Sequence, residues 1–272
     1  MNISEHVTSE TLVETPIAAI ELARKALTSG MTGSLFAAAQ NTYQDIAAFM
    51  VSQYTDTVAA PLPQEYKYLP HASSVSLGAI DDKALVDVLL AEIGRGTAGC
   101  FVRKMLGSNE VLCDLDQAWI RRQYALHLYP LKHAAHGWHQ DGALGFDFLK
   151  AASALKEPEA LLPTVTCWIA LTECGVDAPG LEFVSQDIRS LLLPEELTDN
   201  NIFNRFSADS FFKPQMEAGD AVIFSGASLH RTHVLKEMQS NRTSVELRFV
   251  AKDNIPQRLL GDCFVALPRA VD

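Results

Sequence analysis

Cysteine is scarce in this chain: Cys100, Cys113, Cys167, Cys174 and Cys263 are the only five in 272 residues. The count is odd and no two stand at C-x-x-C spacing. That excludes a disulfide scaffold or thiolate zinc site and points to a reducing, cytoplasmic setting. No apolar run approaches the roughly 18–20 residues of a membrane helix. The segment Met1 to Glu14 has neither a basic start nor an apolar centre, so no secretory leader is expected. Positive charge is also short, with 22 Lys and Arg against 33 Asp and Glu and a net charge of −11. That balance disfavours nucleic acid or an anionic membrane as partner. It leaves room for a small-molecule substrate, and for one small anion held by a local arginine.

Hydrophobic residues at 48% and charged residues at 20% describe an ordinary globular chain rather than a disordered one. β-Rich folds often run to about 200–250 residues as one unit, so one domain over residues 1–272 is expected. Within it, 1–97 reads as mostly helical, 98–252 as a β core and 253–272 as a tail. Thr15-Pro16 resembles a helix start, and Ile17, Ile20, Ala23 and Leu27 recur at helical spacing until Gly30. Ser34 is placed to cap a second helix over about 35–57. Asp81 or Asp82 is placed to start a third, with Leu85, Val88, Leu89 and Ile93 on one face and Gly94 after it.

From Gly99 onward short strands are expected at Cys100–Lys104, Trp119–Leu128, Thr164–Thr172, Leu181–Ser185, Ala221–Ser225 and Thr243–Ala251. Val165, Cys167, Ile169 and Leu171 alternate with Thr164, Thr166, Trp168 and Ala170, a period of two. Many short strands without intervening helices suggest a sandwich or open barrel. Two long connections, Gly142–Pro163 and Gln186–Gly219, have the length of binding loops or lids.

Six of the eight histidines fall in two clusters: His127, His133, His136 and His139, and then His230 and His233. Residues two apart on a strand share a face, so His139 and Asp141 can reach one metal ion together. A histidine from a distant strand would complete a 2-His-1-carboxylate face, the ligand set of non-haem Fe(II) oxygen chemistry. His230 and His233 are an odd number apart and point to opposite faces; His230, directly after the apolar strand and its turn, is the ligand of choice. Arg242, Ser244, Glu246 and Arg248 share one strand face, and an arginine fork binds a carboxylate through two parallel hydrogen bonds. Arg248 is the alternative carboxylate partner, although eighteen residues beyond His230 it lies far along the strand.

The segments Arg121-Arg122-Gln123-Tyr124, Gly137-Trp138-His139-Gln140-Asp141-Gly142, Cys167-Trp168-Ile169-Ala170-Leu171, Ala178-Pro179-Gly180-Leu181-Glu182, Gly219-Asp220-Ala221-Val222-Ile223-Phe224, Leu229-His230-Arg231-Thr232 and Arg242-Thr243-Ser244-Val245-Glu246-Leu247-Arg248-Phe249 stand in that order. In this the chain resembles the phytanoyl-CoA dioxygenase-like proteins over about half its length, roughly Arg121 to Phe249. The resemblance implies a mainly β fold with appended helices, a double-stranded β-helix (jelly roll, cupin-like) core. It also implies an Fe(II)- and 2-oxoglutarate-dependent dioxygenase, with O2 as second co-substrate and succinate and CO2 as products. Carried over, His139, Asp141 and His230 resemble the iron ligands. Arg242 resembles the arginine that pairs with the far carboxylate of 2-oxoglutarate, and Ser244 its helper. His136, Gln123 and Thr166 fall where co-substrate contacts are found, and Trp138, Phe146 and Trp168 where substrate contacts are expected.

The reaction expected is oxidation of a C–H bond of a small organic metabolite, by hydroxylation, desaturation or ring closure. Asp141 disfavours halogenation, because related halogenases have a small residue there. The family name does not imply an acyl-CoA substrate, and no basic patch for its phosphates is evident. Two other classes suit parts of the pattern: a non-catalytic jelly roll that holds metal and 2-oxoglutarate, and a metal-dependent hydrolase or isomerase on a cupin-like barrel. The second leaves Arg242 and Ser244 unexplained. No self-complementary patch marks the chain as monomer or homodimer.

Overall fold

The computed structural model describes residues 20–39, 74–80, 82–127, 135–144, 163–188, 190–193, 195–255 and 261–269. Among these, two antiparallel sheets face each other. The strands are β1 (Ile20–Ala23), β2 (Ser74–Ser76), β3 (Val111–Asp114), β4 (Trp119–Gln123), β5 (His139–Gln140), β6 (Thr164–Ala170), β7 (Gly180–Val184), β8 (Phe211–Phe212), β9 (Ala221–Ser225), β10 (Leu229–His233), β11 (Arg242–Ala251) and β12 (Phe264–Ala266). The main sheet runs β1-β9-β6-β11-β3-β12, with β4 also paired to β11 and β2 to β4. The small sheet runs β5-β10-β7-β8. This is the expected jelly roll.

Alternation along β6 and β11 divides the main sheet into two faces. Val165, Cys167, Ile169, Val245, Leu247 and Phe249 turn outward and are buried under helices. Those helices are α1 (29–39), α2 (Lys83–Arg95) and α3 (Thr97–Leu106). Leu35, Leu89, Leu90, Ile93, Phe101 and Val102 supply their side of that core. The opposite residues of β6, β9 and β7, among them Trp168, Ala170, Val222, Phe224 and Phe183, face the space between the sheets. A third cluster (Trp138, Val184, Ile188, Leu192, Ile202, Phe206 and Leu229) backs the small sheet from outside. The short helix α4 (Asp199–Arg205) contributes Ile202 to it.

Several expectations are corrected. Residues 20–23 form β1, not a helix: they pair with Ala221–Phe224. The open edge of β9 outweighs the helical spacing of four residues, as long-range pairing often does with short segments. Thr28 accepts from the Met31 amide through its hydroxyl at the start of α1, so Gly30 lies inside that helix rather than after it. Ser34 is also internal, donating to the Gly30 carbonyl (3.0 Å). Residues 40–57 of the second expected helix lie outside the described residues. Asp82 caps α2, accepting from the Leu85 amide, and the helix runs through Gly94 to Arg95.

Cys100–Lys104 belongs to α3 rather than a strand. Ala98, Phe101, Val102 and Met105 have helical spacing and face the core. Gly107 closes α3 in the left-handed conformation (φ 60°) that favours glycine. β4 stops at Gln123, well short of Leu128. The Gln186–Gly219 connection carries α4 and β8. β1 and β2 enter the main sheet from the part expected to be mostly helical, and β12 from the expected tail. Among the described residues no helix is long and apolar enough to cross a membrane.

Candidate active site

His139 and His230 sit directly opposite each other on β5 and β10. Asp141 follows in a 3-10 turn, Asp141–Leu144. One ligand atom from each of these three residues lies within 4.8 Å of the other two. Asp141 Oδ1 is 3.7 Å from His139 Nε2 and 3.9 Å from His230 Nε2. Two ligand atoms with metal bonds of about 2.1 Å can stand no more than about 4.2 Å apart, so the Asp141–histidine distances are within the span of one shared ion. His139 Nδ1 is 2.7 Å from the Gly137 carbonyl, and His230 Nδ1 is 3.0 Å from the Ser228 carbonyl. A carbonyl only accepts, so each Nδ1 is the donor and each Nε2 lone pair is left for a metal.

Electrostatics set the protonation states a metal needs. Burial pushes His230 down to about 4, helped by His139, so its imidazole is neutral at pH 7. Burial alone would raise Asp141, but Arg248, His230, His139 and the Thr166 hydroxyl together hold it well below the usual carboxylate range. Both Asp141 oxygens are engaged: Thr166 Oγ1 donates to Oδ2 (2.6 Å), and Arg248 Nη2 donates to Oδ1 (3.1 Å). Gln140 points away from the metal face. Its Nε2 donates to the Ser190 and Ala227 carbonyls, and its Oε1 accepts from the Leu192 amide.

The three ligand residues open on a cavity of about 510 Å³ between the sheets. His136, Thr166, Trp168 and Arg242 line it, together with Arg121, Glu246 and Arg248. Strand register explains the set. Arg242, Ser244 and Glu246 stand opposite Gln123, Arg121 and Trp119 on β4, and Ser244, Glu246 and Arg248 opposite Ala170, Trp168 and Thr166 on β6. Directly opposite residues share a face. Arg242 is 1% exposed, and its guanidinium carbon lies 4.9 Å over the Trp168 ring. The Ser244 hydroxyl is buried on the same face behind the cavity wall, which it does not line, and has no hydrogen-bond partner among the described residues. A fixed guanidinium beside an orphaned hydroxyl suits a bound carboxylate, so the residues present fit both the metal and a keto diacid.

Other site expectations change. Trp138 turns to the outside of the small sheet, because its neighbour His139 turns inward. It packs 5.7 Å from Phe211 and 6.2 Å from Phe203, with Arg231 4.7 Å over its ring. It does not line the cavity. Gln123 is buried beside Arg242 in register, but its Nε2 donates to the Tyr124 carbonyl (3.3 Å) and it too stays off the cavity wall. Arg248 finds its carboxylate in Asp141. Phe146, His133 and most of Gly142–Pro163 lie outside the described residues. His233 is not part of the His139, Asp141 and His230 group and lies 3.9 Å from Glu182. Sequence reasoning missed Arg121 as a wall residue; its alternation with Gln123 was the available signal.

A jelly roll with two imidazoles and one carboxylate on an open inner face defines a class, the non-haem iron oxygenases. The chain belongs to the phytanoyl-CoA dioxygenase (PhyH) family, whose model matches residues 81–238, more than half of its length. Family and ligand set together make it an Fe(II)- and 2-oxoglutarate-dependent oxygenase, with His139, Asp141 and His230 as the group suited to iron. A search of curated protein sequences finds no match. Among solved structures the fold is similar to apo EctD from S. alaskensis (TM-score 0.61, 16% identity, 94% of this chain and 84% of that one). It is also similar to the epimerase SnoN from nogalamycin biosynthesis, solved with Fe3+, alpha ketoglutarate and nogalamycin RO (TM-score 0.56, 14% identity, 93% and 95%). A third is the carbocyclase SnoK from nogalamycin biosynthesis (TM-score 0.54, 14% identity, 97% and 100%).

Proposed function

We propose that this chain, acting as one oxygenase domain, oxidises a C–H bond of a small organic metabolite, by hydroxylation or by desaturation or ring closure. The observation that carries the reading is the joint placement of the His139, Asp141 and His230 ligand atoms and the buried Arg242 guanidinium around one cavity. Its volume, about 510 Å³, is that of a small-molecule site. The structural neighbours named for epimerisation and carbocyclisation support a range of outcomes on this fold.

When bound, iron(II) with 2-oxoglutarate would supply the oxidising power, drawing on O2 and releasing succinate and CO2. The protein's part is geometric. His139, Asp141 and His230 would hold the iron from one side, a ligand set that in this class leaves room for co-substrate. Arg242 binds the far carboxylate of 2-oxoglutarate as a rigid fork, and Ser244 donates its hydroxyl. Trp168 supports the Arg242 guanidinium from below, and Phe183 and Phe224 pack against the His230 ring (5.5 and 4.7 Å), keeping bulk water from that side.

The test is stoichiometry. Purified protein with Fe(II), 2-oxoglutarate and a metabolite library should consume O2 and release equimolar succinate with at least one compound. Asp141→Ala should lose that turnover by at least 10²-fold, since a ligand is removed. Full activity in Asp141→Ala, or turnover without O2, would overturn the reading.

A further inference from the structure

Four charged side chains, Arg121, Arg242, Glu246 and Arg248, line the cavity without belonging to the ligand set, and Arg248 touches one of the ligands, Asp141. Its two terminal nitrogens have different tasks. Nη1 donates to the Gln117 carbonyl (2.6 Å), which fixes the guanidinium plane, and Nη2 donates to Asp141 Oδ1 (3.1 Å). On the neighbouring strand, directly opposite in register, Thr166 donates its hydroxyl to Asp141 Oδ2 (2.6 Å). A cross-strand pair of the main sheet therefore grips both oxygens of a carboxylate that belongs to the loop leaving the small sheet.

The two oxygens are not equivalent. Oδ1 is the one that faces both imidazoles, at 3.7 and 3.9 Å. A carboxylate oxygen has about two acceptor directions, so Oδ1 can serve Arg248 with one and a metal with the other. Oδ2 is held against β6 by Thr166. We propose that Arg248 and Thr166 are positioning residues that clamp Asp141 with Oδ1 turned toward the two imidazoles, where it would meet a metal. The inference rests on the iron reading proposed above.

Charge and geometry act in opposite directions here, which makes the proposal testable on the metal alone. A guanidinium beside a divalent ion repels it, so removing the charge without any clamp would tighten binding. Removing a clamp loosens binding, by about 10- to 100-fold for outer groups that orient metal ligands. The experiment is anaerobic titration of the apo-protein with Fe(II), repeated with Co(II), together with apo-protein thermal melts. Arg248→Gln and Thr166→Val should each weaken both ions by 10-fold or more. Arg248→Lys, which keeps a charged donor of similar reach, and Thr166→Ser, which keeps the hydroxyl, should recover most of the affinity. Arg248→Gln binding metal as tightly as wild type or tighter, with only the apo melt lowered, would show a structural counter-charge and overturn the proposal. Thr166→Val keeps the shape of the side chain and tests the second half even where Arg248 variants fold poorly; unchanged affinity there would remove Thr166 from the clamp. If wild type binds neither ion, the iron reading itself fails, a result distinct from tight wild-type binding with unaffected variants.

Discussion

At the scale of single residues, the site is a set of groups held in unusual states by burial. His230 illustrates the cost. Burial, with a contribution from His139, lowers it to about 4, against about 6.5 in an unfolded chain. Between those values the unfolded state holds the extra proton, so folding stability rises with pH across that window. The contribution is complete above about pH 6.5 and is lost as pH falls toward 4, on the order of 3 kcal/mol in all. Urea melts of the apo-protein at pH 4.5, 5.5 and 7 should show this loss, and the His230→Gln variant should show less of it. Identical pH dependence in the two proteins would contradict the assignment. The parity argument that chose His230 over His233 holds in the structure, where His233 turns toward Glu182. The same argument, applied to Trp138, would have placed that ring outside: it is one residue from His139 and must face the other way.

At the scale of elements, the metal loop depends on a close backbone approach. The Gly142 amide donates to the Gly226 carbonyl (2.8 Å), which seats the turn after Asp141 on the turn between β9 and β10. A Cβ on Gly226 would collide with the Thr164 hydroxyl and come within 2.9 Å of Gly142 N and Cα. Gly226→Ala should therefore cost about 1–3 kcal/mol of stability and weaken Fe(II) binding, because relief requires moving the Asp141 turn. Unchanged stability and metal affinity would show that the turn has slack.

Strands with two-sided burial were the most legible elements. β9 spans the residues expected of it, and β6 and β11 differ from expectation by one or two residues at their ends. Their period-two alternation reflects a sheet with helices on one face and a cavity on the other. β1, β5, β8 and β12 are two to four residues long. At that length no periodicity is measurable, and pairing partners far along the chain decide the structure. α3 was misread because Cys100-Phe101-Val102 favours a strand locally, while its helical face appears only when Ala98 and Met105 are included.

At the scale of the whole molecule, the helices stabilise the sheet from behind while the chemistry occupies its front. Phe249 is fully buried on the outer face. Phe249→Ala should lower unfolding stability by about 3–5 kcal/mol, read from urea midpoints. Fe(II) affinity of the protein that remains folded should stay within about 2-fold, because the lost ring lies on the side away from the ligands. A large loss of metal affinity at low temperature would mean that the two faces are more tightly coupled than the layered arrangement implies. The central claim is that one cavity holds a metal on His139, Asp141 and His230 and a keto diacid on Arg242 and Ser244. Anaerobic titration of the apo-protein with Fe(II) and then 2-oxoglutarate tests it most directly, through the visible charge-transfer band of a keto acid chelated on iron. The account predicts that the band appears in wild type and that Arg242→Ala needs roughly 30-fold more 2-oxoglutarate to reach it, the equivalent of about 2 kcal/mol from a charge-assisted fork. Iron binding without any band, or a band indifferent to Arg242→Ala, would contradict it.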